Sequence, residues 1–169
     1  MAREIISRKA SDNQYLHRDF HGALSIGLDY LEKHYGAEAV REYLRRFAEA
    51  FYAPLTAEIK KRGLAALRDR LEQIYRTEGA EFTVVSSEDE LVFKTAACPA
   101  VTYMRRNNYP VSRLFVETTR TVNEAICAGT PFAAELSEYD PETGRSVQRF
   151  TRLRPSKQAS AGAAAGESK

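Results

Sequence analysis

The apolar residues of this chain change rhythm near residue 80, and the change separates a helical half from a sheet-forming one. Between 13 and 35, Leu16, Phe20, Ala23, Leu24, Gly27, Leu28 and Leu31 recur at the spacing that puts side chains on one helical face. Ser11 or Asp12 suits the start of that helix, and Gly36 suits a left-handed stop. Val40, Tyr43, Leu44, Phe47, Ala48 and Phe51 define a second helix, ended or bent at Pro54. After Gly63, Leu64, Leu67, Leu71, Ile74 and Tyr75 define a third, stopping near Gly79.

A period of two then takes over. Residues 82–85 and 91–95 alternate as strands do, around the polar turn Ser86-Ser87-Glu88-Asp89. Cys98-Pro99 marks a return to helix, because the residue before proline favours extended backbone and proline suits the first helical position. A short helix carrying Tyr103 and Met104 is expected to end at Asn107-Asn108, and another stretch runs from 111 to 127, closed by Gly129. Residues 131–139 and 145–153 flank Asp140-Pro141-Glu142-Thr143-Gly144 as the last hairpin. The expected fold is α+β: N-terminal helices packed on a four-stranded antiparallel sheet made of two hairpins separated by helices. Residues 1–154 are expected to form a single domain. Residues 155–169, mostly Ser, Ala, Gly, Lys and Gln, are expected to form a disordered tail.

A chain of 169 residues that is 43% hydrophobic supports one core. Its net charge of only +2 argues against nucleic acid or an anionic membrane as the main partner. No run approaches the roughly 20 apolar residues that span a bilayer. The first residues lack the apolar stretch of a secretory signal, so a cytoplasmic location is expected. Cys98 and Cys127 cannot build a disulfide framework, and no Gly-rich phosphate loop, GxSxG elbow or HExxH helix occurs.

A few residues are suited to chemistry. His17 and His21 stand one helical turn apart and share a face; boundary hydrogen bonding, ligand or general-base work, and metal ligation all fit such a pair. Two histidines are too few to hold zinc alone, and no metal is expected. Cys98 falls where a helix N-terminus would favour a thiolate nucleophile, against the alternative of a buried structural thiol. Glu117, Thr118, Thr119, Thr121, Asn123 and Glu124 form a polar run in which threonine is a poor helix former. They suit either a pocket wall, with Glu117, Thr118 or Asn123 facing a polar ligand, or solvent exposure with Arg113–Glu117 and Arg120–Glu124 pairs. Arg105 and Arg106, beside Asn107 and Asn108, suit a carboxylate or phosphate, although a solvated loop accounts for them as well.

Tyr15 to Leu24, Tyr30 to Gly36, Ala97-Cys98-Pro99-Ala100, and Asn123 to Phe132 with the last hairpin together resemble the L-2-amino-thiazoline-4-carboxylic acid hydrolases of bacteria. The resemblance spans most of residues 10–153; where members often carry further cysteine near the last hairpin, this chain has Ser146 and Gln148. It implies hydrolytic opening of a cyclic amidine, the thiazoline ring becoming N-carbamoyl-L-cysteine or a related product, with no cofactor. Chemistry and position then suggest Cys98 as nucleophile or His21 as activator of water, and Glu117 on the exocyclic amine. His17, Arg105, Thr118 and Asn123 are the expected substrate contacts. The expected partner is a small-molecule substrate, with a homo-oligomer left open. The competing expectations are a non-catalytic small-ligand-binding or sensor module and an interaction protein.

Overall fold

The computed structural model describes residues 19–154. Four helices come first: α1 (Asp19–Tyr35), α2 (Ala37–Phe51), α3 (Ala53–Arg62) and α4 (Leu64–Thr77). They are followed by β1 (Phe82–Ser86), β2 (Glu90–Thr95), α5 (Pro99–Arg106), α6 (Arg120–Cys127), β3 (Phe132–Tyr139) and β4 (Ser146–Arg152). The fold is α+β, with a single four-stranded antiparallel sheet in the order β1-β2-β4-β3.

Register follows from the alternation of side chains. Leu91 pairs with Phe150, Phe93 with Gln148 and Thr95 with Ser146, so one face of the two central strands carries all six residues. That face is turned to the helices, and Leu91, Phe93 and Phe150 are fully buried. Tyr75 of α4 packs its ring 4.8 Å from that of Phe93, which in turn stacks 5.0 Å from Phe82. Leu28, Val40, Leu44, Ile59 and Leu67 supply the helical side of the same core. The register shifts between Leu136 and Glu138, a bulge that returns Tyr139 to the face opposite Ser146.

Two stretches differ from the periodicity reading. Pro54 opens α3 as well as ending α2, because a proline in the first helical turn gives up an N–H that has no helical partner anyway. The stretch 111–127 is not one helix. It begins irregularly, makes a 3-10 turn at Phe115–Thr118 and becomes α-helical only at Arg120. The Ser112 hydroxyl accepts from the Leu114 amide at 3.2 Å, and the Thr118 hydroxyl donates to the Phe115 carbonyl at 2.7 Å. Such local bonds compete with continuous helix. The expected start of the first helix and the expected tail at 155–169 lie outside the described residues.

The turn between β3 and β4 docks on the start of α5. The Cys98 amide donates to the Thr143 carbonyl at 2.9 Å, and Gly144 has φ of +69°. A Cβ at residue 144 would lie 2.3 Å from Cys98 Cβ and 3.0 Å from Val101 Cγ2. Both the left-handed backbone and the contact therefore require glycine. Gly144→Ala should lower stability by about 3 kcal/mol, from left-handed strain plus overpacking, as read by urea denaturation.

Candidate active site

Pro99 starts α5, and the helical repeat then places Pro99, Thr102, Tyr103 and Arg106 along one side. The opposite side, Ala100, Val101 and Met104, is buried in the core. The outward row forms one wall of a cleft of about 600 Å³. Glu78–Glu81 of the α4–β1 turn, Ala96 and Ala97 beyond β2, Asn107, and His21 from α1 complete it. The cleft thus carries carboxylates from one connection and a guanidinium from α5, with an imidazole between elements far apart in the chain. A shallower depression of about 240 Å³ at the start of β3 is lined by Glu124 and buried Cys127 among mostly apolar residues. It brings together no comparable set of groups.

Burial lowers the pKa of His21, because a half-buried imidazolium loses hydration that the neutral ring needs less. At neutral pH the ring is therefore a free base, able to accept a proton. His17 lies outside the described residues, so the expected histidine pair is described at His21 alone. Among the described residues no group of three or more His, Cys, Asp or Glu side chains is placed to hold a metal ion.

Cys98 stands at the N-terminal cap of α5, with extended backbone at φ −78° and ψ 123°. Burial pushes its thiol pKa up, and the Val101 and Ala100 amides offset this only in part. The expectation of a stabilised thiolate is therefore reversed: desolvation outweighs the helix terminus. Its neighbours Ala97 and Pro99 line the cleft while Cys98 itself, which is half-buried, does not, and its thiol acts electrostatically on Tyr75 and Tyr139. Those phenols are themselves pushed up to about 12, mainly by burial.

Behind the cysteine lies a chain of buried polar groups. Asn123 Nδ2 donates to Gln148 Oε1 at 2.9 Å. Gln148 Nε2 donates to the Tyr75 hydroxyl at 3.2 Å and, more weakly, to Ser146 Oγ at 3.4 Å. Thr95 is also buried there, and its hydroxyl interacts with the Tyr75 phenol. Asn123 thus satisfies Gln148 inside the core and does not present its amide to the cleft. The polar row Ser146-Gln148 beside Phe150, on a strand face otherwise facing the core, was the signal that a network sits here.

The remaining expected contacts lie elsewhere. Glu117 is only 2% exposed and is held by Thr121 Oγ1 at 2.7 Å, Arg120 Nη1 at 3.1 Å and Arg41 Nε at 3.4 Å. These bonds occupy its carboxylate in the seam of α2 and α6, outside the cleft. The alternative ion pairs are rearranged too: Arg120 pairs with Glu117, and Arg113 pairs with Glu32. Thr118 spends its hydroxyl on Phe115, and Arg105 pairs at 3.4 Å with exposed Glu142. Of the two adjacent arginines, Arg106 is the one that lines the cleft. Glu78, Glu81 and Tyr103 were not singled out from sequence; the three- and four-residue spacing from Pro99 was the signal for Tyr103.

No family model matches this chain, and no curated protein matches it. Among the described residues no helix is long and apolar enough to cross a membrane.

The site makes two predictions about stability. Glu117→Gln should cost about 2 kcal/mol in urea denaturation, since it weakens charge-assisted bonds and turns an NH₂ toward cationic partners. The raised acids also give a pH dependence. Buried Cys127 and Tyr75, both at about 12, and Cys98 stay protonated in the native state while the unfolded chain loses those protons from about pH 9 upward. The unfolded state then binds fewer protons, so thermal stability should fall steadily between about pH 9 and 12. A melting temperature flat across that window would contradict the burial of these groups.

Proposed function

We propose that the cleft is the active site of a small-molecule hydrolase of the L-2-amino-thiazoline-4-carboxylic acid hydrolase type, acting in the cytoplasm. The observation that carries this reading is the neutral His21 imidazole opening on a cleft that offers both acidic and basic groups. A cyclic amidine with a carboxylate needs that pairing. Arg106 and Asn107 receive the carboxylate, while Glu78 and Glu81 face the amidine nitrogens.

Water held at His21 gives up a proton to the imidazole as its oxygen bonds to the amidine carbon. The ring nitrogen takes a proton, giving a tetrahedral centre that carries hydroxyl, two nitrogens and sulfur. Collapse forms the carbonyl and breaks the carbon–sulfur bond. The hydroxyl proton and the proton held by His21 account for the ring nitrogen and the departing thiolate. One water is consumed, and the product is the N-carbamoyl thiol. Cys98 takes no covalent part, because its raised pKa keeps the thiol protonated and the residue is not among those that line the cleft. That same protonated thiol favours a second reading, a non-catalytic small-ligand-binding module in which the cleft holds its ligand without turnover.

Incubation with L-2-amino-thiazoline-4-carboxylate, followed by mass spectrometry for N-carbamoyl-cysteine, separates the two. Enzyme-dependent product is expected, with His21→Ala losing about 10²- to 10⁴-fold in kcat. Cys98→Ser should keep its turnover, and loss of activity in a folded Cys98→Ser protein would restore the covalent route. Because the base works only when neutral and its pKa is lowered, activity should rise with pH along a limb below 6.5 and stay level above it. Saturable binding of the compound with no product would favour the ligand-binding module.

A further inference from the structure

Helix α1 has two apolar faces, and among the described residues the fold covers only one. Leu28 is buried and Leu24 and Leu31 pack against the core, whereas Phe20, Ile26 and Tyr30 are 53–56% exposed. Around the exposed side, positions 20, 23, 26, 27, 30 and 34 hold no Asp, Glu, Lys or Arg, while helical spacing puts Asp19 of the first turn in the same row and Lys33 at its edge. The adjoining helix α2, joined to α1 by Gly36 alone and packed against it, adds Tyr43, Phe47 and Phe51 at 38–59% exposure. At about 150–250 Å² per aromatic side chain, these residues leave roughly 600 Å² of apolar surface in water. That is most of the roughly 800 Å² per partner that a stable protein interface buries.

Gly27 lies at the middle of this stripe and at the midpoint of α1. A glycine inside a helix costs about 1 kcal/mol relative to alanine. Gly22, one and a half turns earlier, is explained within the chain, since a Cβ there would lie 3.0 Å from the Tyr109 ring. At Gly27 a Cβ would meet nothing within 4 Å. Among the described residues nothing asks for glycine there. Closest approach of a second helix does.

We propose that α1 and the neighbouring face of α2 form a twofold interface with a second copy of this chain, with the two α1 helices crossing antiparallel at Gly27. The arrangement of the stripe favours a self-partner over a different protein. About a centre at Gly27, Ala23 lies on one side and Tyr30 on the other at nearly equal distance, and Phe20 and His34 lie one step further out. An antiparallel crossing therefore sets the small side chain of each copy against the large one of the other, as an isologous contact requires. His21 points from α1 into the cleft, away from this stripe, so the assembly leaves the candidate active site open.

Sedimentation of the full chain from micromolar to tens of micromolar concentration tests the proposal. The expected species is a dimer of twice 19.0 kDa. Gly27→Arg should sediment as a monomer with an unchanged far-UV spectrum, since the site has room for a side chain within the monomer. Val85→Arg, at a 68% exposed position on β1, should remain dimeric. Gly27→Cys should form a disulfide-linked dimer on oxidation, because a residue on the twofold axis meets its own copy, and this decides the matter should Gly27→Arg unfold. A wild-type monomer throughout the range would overturn the proposal. So would a Gly27→Arg dimer as tight as wild type, or a dimer in which Gly27→Cys does not cross-link.

Discussion

The seat of the β3–β4 turn on the first turn of α5 governs the geometry of the candidate site. The backbone bond from Cys98 to Thr143, with Gly144 pressed against Cys98 and Val101, fixes where α5 begins relative to the sheet. Everything on the outer row of that helix takes its place from this seat, including Arg106 and Tyr103 on the wall of the cleft. The turn is itself held by its own side chains: Asp140 accepts from the Thr143 hydroxyl at 2.5 Å and from the Glu142 amide at 3.0 Å. A hairpin remote from the cleft in sequence thus sets the shape of its wall.

Polar groups divide sharply between core and cleft. Asn123, Gln148, Tyr75 and Ser146 satisfy one another behind the sheet face, and Glu117 is enclosed by two arginines and a threonine. Groups so fully committed would lose those bonds on turning to a ligand, leaving buried partners unsatisfied at a cost of about 1–3 kcal/mol each. The cleft is instead furnished from turns and from the outward side of a short helix. Such segments tolerate that role because their backbones are already satisfied by the elements they join.

The helices, strands and turn chemistry were legible because each rests on local periodicity: the 3.6-residue stripes of α2 and α4, the alternation in β2 and β4, and proline at the opening of α5. The break at Thr118–Thr119 was not, because it depends on a hydroxyl choosing a local carbonyl over a helical role. The site was legible only where a residue lies next to an element boundary. His21 and Arg106 were both named from sequence, but only the fold turns Arg106 rather than Arg105 to the cleft. Glu117 and Asn123 were expected on a pocket wall because polar side chains in an apolar stretch suggest a ligand. Their actual partners, Arg41 and Gln148, lie 76 and 25 residues away and follow from packing alone.

Desolvation acts on His21 and Cys98 in opposite chemical senses, and this is what orders the two candidate mechanisms. Removing water from an imidazole favours its neutral form, which is the form that accepts a proton. Removing water from a thiol also favours its neutral form, which is the form that does not attack. The same physical effect, acting at two places, therefore prepares a base and disarms a nucleophile. The α5 terminus could have reversed this for Cys98, but its amides work against desolvation and lose. For the proposed hydrolysis, the consequence is that water takes the role of nucleophile and the cysteine serves to hold α5 against the last hairpin.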